Sequence, residues 1–357
     1  MRKESMQFLK DLVETPGPSG FEGPVQQVWI KRTRPFAHDI QVDVHGNAIA
    51  TLNPEGSPRV MIAGHCDEIG FMVKYISDEG YISFVPIGGV DIHLVPARRV
   101  TIHTKSGKIP GVVGRKPIHL MEPSARTTQK LEWHSLWIDI GVSDRKEAEK
   151  MVSLGDPITY PEGFFPLAGD KVAGRGFDDK MGSFVISDVV RILARKKFAA
   201  GLFAVSTVQE ELGLRGARTS AYGIDPDVGI AVDVTHASDH PEMDKKQIGE
   251  LTLGKGPVVA RGANINPVVF DGLMKTAKTG KIPVQVEPSP RATGTDANVI
   301  QLTRSGVAAG LLSIPNRYMH TPVEMISTKD LEDAAKLLAA YIESLKPADD
   351  FTPFKIK

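Results

Sequence analysis

Leu202 to Val208 is an apolar, β-rich run, and Gln209-Glu210-Glu211-Leu212-Gly213 follows it at once. The run reads as a buried strand, so two carboxylates stand where that strand gives way to a glycine-punctuated turn. Strands without a polar face belong in sheets covered on both sides. The same pattern recurs. Arg59 to Ala63 is a short buried strand followed by Gly64-His65-Cys66-Asp67-Glu68, and Val228 to Val234 carries Asp233 near its end. Val307 to Ile314 precedes Pro315-Asn316-Arg317-Tyr318-Met319-His320. Helical spacing alternates with these runs. Met6, Leu9 and Val13 share a stripe that Thr15-Pro16-Gly17-Pro18 ends, and Val25, Val28 and Trp29 share another within residues 24–34. Met181, Phe184, Val185 and Val189 form a third, and Leu331, Ala335, Leu338 and Ile342 a fourth, in a helix over 329–345 capped at Ser327 or Thr328. A further helix is expected over 266–279, and another opens at Thr293-Gly294-Thr295-Asp296 and runs through Thr303. Ile40 to Leu52 reads as a hairpin turning at His45-Gly46-Asn47. The alternation predicts an α/β fold with a central mixed sheet flanked by helices.

Between Ile69 and about Gly163 the texture changes to short strands separated by Gly and Pro turns, with only Arg145 to Val152 helical. This predicts a small β-barrel-like domain, residues 69–163, inserted into an α/β body made of residues 1–68 and 164–357. Its histidines, His93, His103, His119 and His134, are expected to be structural or surface residues rather than ligands. The tail from Lys346 to Lys357 is expected to be loosely held.

Lys plus Arg and Asp plus Glu number 43 each, so charge gives no case for nucleic acid or an anionic membrane surface. No apolar run approaches the ~20 residues of a membrane span, and Met1-Arg2-Lys3-Glu4-Ser5 lacks a secretory signal's apolar stretch. The single cysteine, Cys66, rules out an intrachain disulfide and suits a reducing cytoplasm, where the protein is expected. Its thiol is expected to pack as a small apolar group.

Ligands of open α/β sheets bind beyond the carboxyl ends of strands. His65, Asp178, Glu211, Asp233 and His320 all lie at strand or helix ends on what should be one sheet edge. Each has an ordinary alternative. Glu210-Glu211 can be an exposed acidic pair, Asp178-Asp179 a helix cap, and His236 and His240 loop residues. Asp233 is harder to dismiss, because an unpaired carboxylate inside an apolar run is costly. His65-Cys66-Asp67 adds a carboxylate placed to orient an imidazole. Asp296 reads as a cap or a supporting group. Together the five N/O side chains can build two metal sites, each keeping an open position for water or substrate. Mixed histidine and carboxylate donors suit zinc, cobalt or manganese, and the lack of a thiolate cluster argues against a structural zinc.

The order Ala63-Gly64-His65-Cys66-Asp67-Glu68-Ile69-Gly70, Phe177-Asp178-Asp179-Lys180, Val208-Gln209-Glu210-Glu211-Leu212-Gly213, Val232-Asp233-Val234-Thr235-His236 and Arg317-Tyr318-Met319-His320-Thr321-Pro322 resembles the tetrahedral, TET-type dinuclear aminopeptidases. That family includes glutamyl and deblocking aminopeptidases. Gly294-Thr295-Asp296 is also similar to it, and the resemblance runs nearly end to end. It implies two divalent ions per subunit. One is held by His65 and Asp233, the other by Glu211 and His320, with Asp178 bridging. It implies Glu210 as general base and Asp67 as the group that orients His65. It further implies short peptide substrates, dimer contacts through the inserted β domain, and dimers assembled into a tetrahedral dodecamer.

The expected reaction is hydrolysis of the N-terminal residue by a metal-activated water, with Glu210 taking and returning the proton. A hydrolase of N-acyl amino acids or small amides on the same site is the alternative. A glycoside hydrolase would need carboxylates facing each other across the bond at ~5–9.5 Å, which neighbours at one strand end do not supply. A non-catalytic assembly protein would leave the intact ligand set unexplained.

Overall fold

The computed structural model describes residues 1–122, 130–161 and 163–356. In chain order the strands are β1 (Asp39–Val42), β2 (Ala48–Leu52), β3 (Arg59–His65), β4 (Gly70–Ile76), β5 (Ile82–Ile87), β6 (Arg99–Thr104), β7 (Gly107–Arg115), β8 (Leu136–Asp139) and β9 (Pro157–Thr159). They continue as β10 (Phe165–Pro166), β11 (Lys171–Gly174), β12 (Gly201–Thr207), β13 (Val228–His236), β14 (Val258–Gly262), β15 (Gln285–Ser289), β16 (Ala308–Asn316) and β17 (Glu324–Ser327).

Among the described residues the central sheet has eight strands in the order β1-β2-β12-β3-β13-β16-β14-β15. Its middle is parallel: β12 pairs β3, β3 pairs β13 and β13 pairs β16. β2 runs antiparallel to β12, and β14 antiparallel to β16. The sheet is mixed, as the alternating pattern predicts. Every residue of β12 is buried, since helices cover both faces. The register sets Thr207 beside His65 and Asp233 beside Ser313. The carboxyl ends of the four parallel strands therefore open at one edge.

The helix Phe177–Leu193 lies across the middle of this sheet, burying Met181, Phe184, Val185, Val189 and Val190. The N-terminal helix Lys3–Glu14 and the C-terminal helix Thr328–Ser344 join it in one core. The last helix starts at Ser327, whose hydroxyl accepts from the Lys329 amide, a cap of the expected kind. Cys66 is fully buried in the same core, as expected of a small apolar thiol.

Strands β4 to β9 close into a barrel in the order β4-β5-β8-β7-β6-β9. Its core is separate and holds Phe71, whose ring meets Phe84 and Tyr160 edge-on. His103 belongs to this barrel, where Nε2 sits 2.8 Å from the Thr159 hydroxyl. Burial, with Arg175 and Lys108 nearby, pushes its pKa down to about 4.

Two expectations change. The helix opened by Thr293 to Asp296 is only Ala297–Ile300, with turns after it. Asp296 makes no capping bond; its carboxylate accepts the Thr207 hydroxyl at 2.6 Å, and burial with that bond decides its setting. The tail is partly held, because Asn266 Nδ2 donates to the Phe351 carbonyl at 2.9 Å; Lys357 lies outside the described residues.

Glycine lets the helix approach the sheet where the site begins. A Cβ on Gly64 would stand 2.5 Å from the carbonyl carbon of Gly182 and 2.8 Å from its oxygen. Both neighbours are backbone, so neither can move aside. Gly64→Ala should therefore cost about 1–3 kcal/mol of stability by overpacking, read as a lower urea midpoint at unchanged slope.

Candidate metal centre

His65 ends β3, and its ring stands between two carboxylates. Nδ1 lies 3.3 Å from Asp67 Oδ1 and Nε2 lies 3.2 Å from Asp178 Oδ1. Burial disfavours the imidazolium, but Glu210 and the bonds to Asp178 and Asp67 hold its pKa well above the usual value. Asp67 has further work. Its carboxylate accepts the Ser19 hydroxyl at 2.6 Å, the Glu210 amide at 3.1 Å and the Glu211 amide at 3.2 Å. Burial opposes its charge, yet these donors and His65 keep its pKa below the ordinary carboxylate value.

Asp178 and Asp179 open the long helix with non-helical backbone angles and a cis peptide between them. Asp179 turns inward, accepting the His65 amide at 3.0 Å and the Gly182 amide at 3.1 Å. That is a cap, and it frees Asp178 to face the cleft. The two oxygens of Asp178 divide between the histidines: Oδ1 faces His65 Nε2, and Oδ2 lies 3.1 Å from His320 Nε2. Burial would raise its pKa, but His320 and His65 hold it far below the usual range.

Glu211 Oε1 lies 3.3 Å from His320 Nε2. His320 Nδ1 lies 3.0 Å from the carbonyl of Gly89, in the loop between β5 and β6. Asp178 and Glu211 push the His320 pKa up to about 11 against the effect of burial. Asp233, on β13, is buried with its pKa raised well above normal by that burial. Glu210 Oε2 stands 3.7 Å from His65 Nε2. Burial first, then Asp233, Asp296 and Asp178, push its pKa up to about 10.

Among the described residues, two groups of side chains place ligand atoms within 4.8 Å of one another: His65 with Asp178 and Asp233, and Asp178 with Glu211 and His320. Each is able to hold a metal ion. The donor set suits a cation, because Glu210, Glu211 and Asp233 all resist ionisation together in so small a buried space. A divalent ion would reverse that, favouring the anionic forms.

A family model for the M42 glutamyl aminopeptidases matches residues 46–337. The chain belongs to the M42 aminopeptidase family. It is an enzyme, a peptide hydrolase. Over 349 residues it is 41% identical to a lysyl aminopeptidase of Pyrococcus furiosus, covering 97% of this chain and 99% of the relative. A TET aminopeptidase from the marine sediment archaeon Thaumarchaeota archaeon SCGC AB-539-E09 superposes with a TM-score of 0.91 at 34% identity, covering 96% of each chain. A Pyrococcus horikoshii TET1 peptidase, which can assemble into a tetrahedron or a large octahedral shell, gives a TM-score of 0.85 at 32% identity, covering 96% of this chain and 100% of that one.

In this M42 peptidase the seven residues singled out in the sequence come together at one sheet edge, and the structure adds four supporting residues that spacing did not reveal. Glu324 accepts the Asp178 amide and the His320 amide, each at 2.9 Å. Ser19, Thr207 and the Gly89 carbonyl complete the supports. His236 is exposed along the cleft, and His240 is half-buried and leans on the Tyr318 ring. Among the described residues, no helix is long and apolar enough to cross a membrane.

Below the centre, Glu68 binds the strand exit to the start of the helix. Its carboxylate accepts the Gly17 amide at 2.9 Å and Lys180 Nζ at 2.7 Å, and pairs with Arg175 Nη1. Burial opposes its charge, but Arg175 and Lys180 bring its pKa down to about 2. Burial also brings Lys180 down to about 8, so the triad as a whole stabilises less than Glu68 alone suggests. Because the folded-state pKa of Glu68 is depressed, its contribution is complete above the ordinary value of 4.5 and disappears as pH falls through about 2. Glu68→Gln should cost on the order of 3–5 kcal/mol at pH 7 by leaving Arg175 and Lys180 unpaired. In urea titrations the gap between wild type and variant should narrow as pH is lowered across that window.

Proposed function

We propose that this M42 peptidase releases the N-terminal residue of short peptides on a dinuclear metal centre. His65, Asp178 and Asp233 would hold one ion, and Asp178, Glu211 and His320 the other. The observation that supports this reading most is the division of Asp178, one oxygen facing each histidine. Zinc, cobalt or manganese bound there supplies Lewis acidity, polarising a water and the scissile carbonyl.

The chain's own groups do the rest. Asp67 holds the Nδ1 side of His65 and so leaves Nε2 for coordination. Glu210, whose Oε2 stands 3.7 Å from His65 Nε2, takes a proton from the attacking water and returns it to the leaving amine. Asp67 also fixes the Glu210 backbone, so the base and the imidazole share one anchor. The cleft measures about 490 Å³, the size of a small-molecule site, and admits a peptide end rather than a folded chain.

The activity test uses purified variants with metal content measured beside turnover. Glu210→Gln should keep its metal and lose about 10²–10⁴ in kcat. Glu211→Gln should lose about one equivalent of metal. Full activity in Glu210→Gln would remove the base from the mechanism. Release from N-acetylated peptides only would move the reaction to the N-acyl amino acid or small-amide hydrolase reading.

We also assign residues 1–68 with 164–357 to the catalytic body, and residues 69–163 to an insert that makes dimer contacts. Tyr75, Tyr81, Val112, Ile118, Leu120 and Leu154 are exposed apolar side chains within that range, and such surface favours a protein partner. Similarity to the TET1 peptidase supports a tetrahedral dodecamer built from dimers. The single buried thiol suits a cytoplasmic setting. Sedimentation equilibrium should give twelve chains per particle, and Leu120→Asp with Ile118→Asp should shift the population towards smaller species.

A further inference from the structure

The cleft that contains the candidate ligands also has Glu287 in its wall. Glu287 lies on β15, half-buried. Burial raises its pKa, and a hydrogen bond from Thr235 opposes the rise. A carboxylate withdrawn from water needs a partner, and here the open side of the carboxylate is the cleft.

The hydrogen bond from Thr235 holds this carboxylate beside that residue. Thr235 lies two residues beyond Asp233 on β13, so both side chains point to the same face, about 6.6 Å apart along the strand. An α-amine is only about 2.5 Å from its own carbonyl carbon, too short to span that step. A lysine ammonium reaches about 6 Å from its Cα. Leu311 and Met319 line the same cleft and offer apolar surface to the methylenes between. Arg291 is the opposing charge in the wall, but it is exposed on the loop after β15, where water and salt screen it. The less hydrated charge has the larger effect on a bound side chain.

We propose that Glu287 selects the N-terminal side chain and that this enzyme prefers peptides beginning with lysine or arginine. The proposal rests on the aminopeptidase reading above. The family name and the name of the Pyrococcus furiosus relative point to oppositely charged residues, so names alone do not choose.

The test compares metal-loaded full-length enzyme on fluorogenic lysyl, arginyl, norleucyl, leucyl and glutamyl amides. Norleucine has the lysine methylenes without the ammonium, so the lysyl to norleucyl ratio of kcat/KM isolates the charge. That ratio should be about tenfold or more. Glu287→Gln should lower the lysyl rate by about 10–100-fold and the norleucyl rate far less. An equal fall on every substrate would instead make Glu287 a site for the α-amine, and a glutamyl preference abolished by Arg291→Gln would give the selection to Arg291. Either result overturns the proposal. A second measurement separates it from the reading beneath it. In Glu210→Gln enzyme, free L-lysine should raise the melting temperature more than L-norleucine, and adding Glu287→Gln should erase the difference. No advantage for lysine there overturns the proposal even where N-terminal release is intact. Loss of all release from free N-termini overturns the aminopeptidase reading itself.

Discussion

The contact on which the centre depends is the carboxylate of Asp67. It is fully buried, yet four donors meet it: the Ser19 hydroxyl, the Glu210 and Glu211 amides, and the ring of His65. Without those donors a buried carboxylate would take up a proton, and the exits of β3 and β12 would lose their common anchor. Glu324 plays the same part on the far side, gripping the amides of Asp178 and His320. Neither acid belongs to the two groups able to hold a metal. They fix backbone, and fixed backbone is what lets five donors from separate parts of the chain meet within a few ångströms.

The centre gathers more negative charge than its histidines can balance. Asp178 stays ionised because both rings face it, while Glu210, Glu211 and Asp233 are driven towards their neutral forms. Asp179 and Glu324 are likewise raised by burial. Charges of one sign this close ionise together only beside a compensating cation. The same crowding that makes the cluster reluctant to ionise thus makes it a strong cation site.

Much of this was legible in the sequence because each functional residue follows an apolar run. His65, Glu210, Asp233 and His320 stand out where β3, β12, β13 and β16 end, and a parallel sheet must bring those ends to one edge. The supports were not legible. Glu324 lies in a short strand two residues past the His320 motif, and its role is to accept amides that any residue carries. The Gly89 carbonyl beside His320 is main chain and leaves no trace in residue type. Asp296 looked like a helix start because Thr-Gly-Thr-Asp is good capping chemistry. Its side chain is taken instead by Thr207, and the helix stops after Ile300.

Gly89 also bears on how the barrel relates to the chemistry. His320 has a positive φ of 60° and is the more exposed of the two candidate histidine ligands. Its backbone is tied to Glu324, but the Nδ1 side of its ring rests on the barrel loop. A ring held at one nitrogen presents the other in a fixed direction, which is how an imidazole becomes a selective ligand. Space there is tight: a Cβ on Gly89 would stand 3.1 Å from His320 Nδ1. The loop therefore acts as the outer wall of one of the two donor groups. A shift of the barrel against the sheet would turn the His320 ring and disturb that group first, while His65, held by Asp67 and Asp179 within the main body, would stay in place.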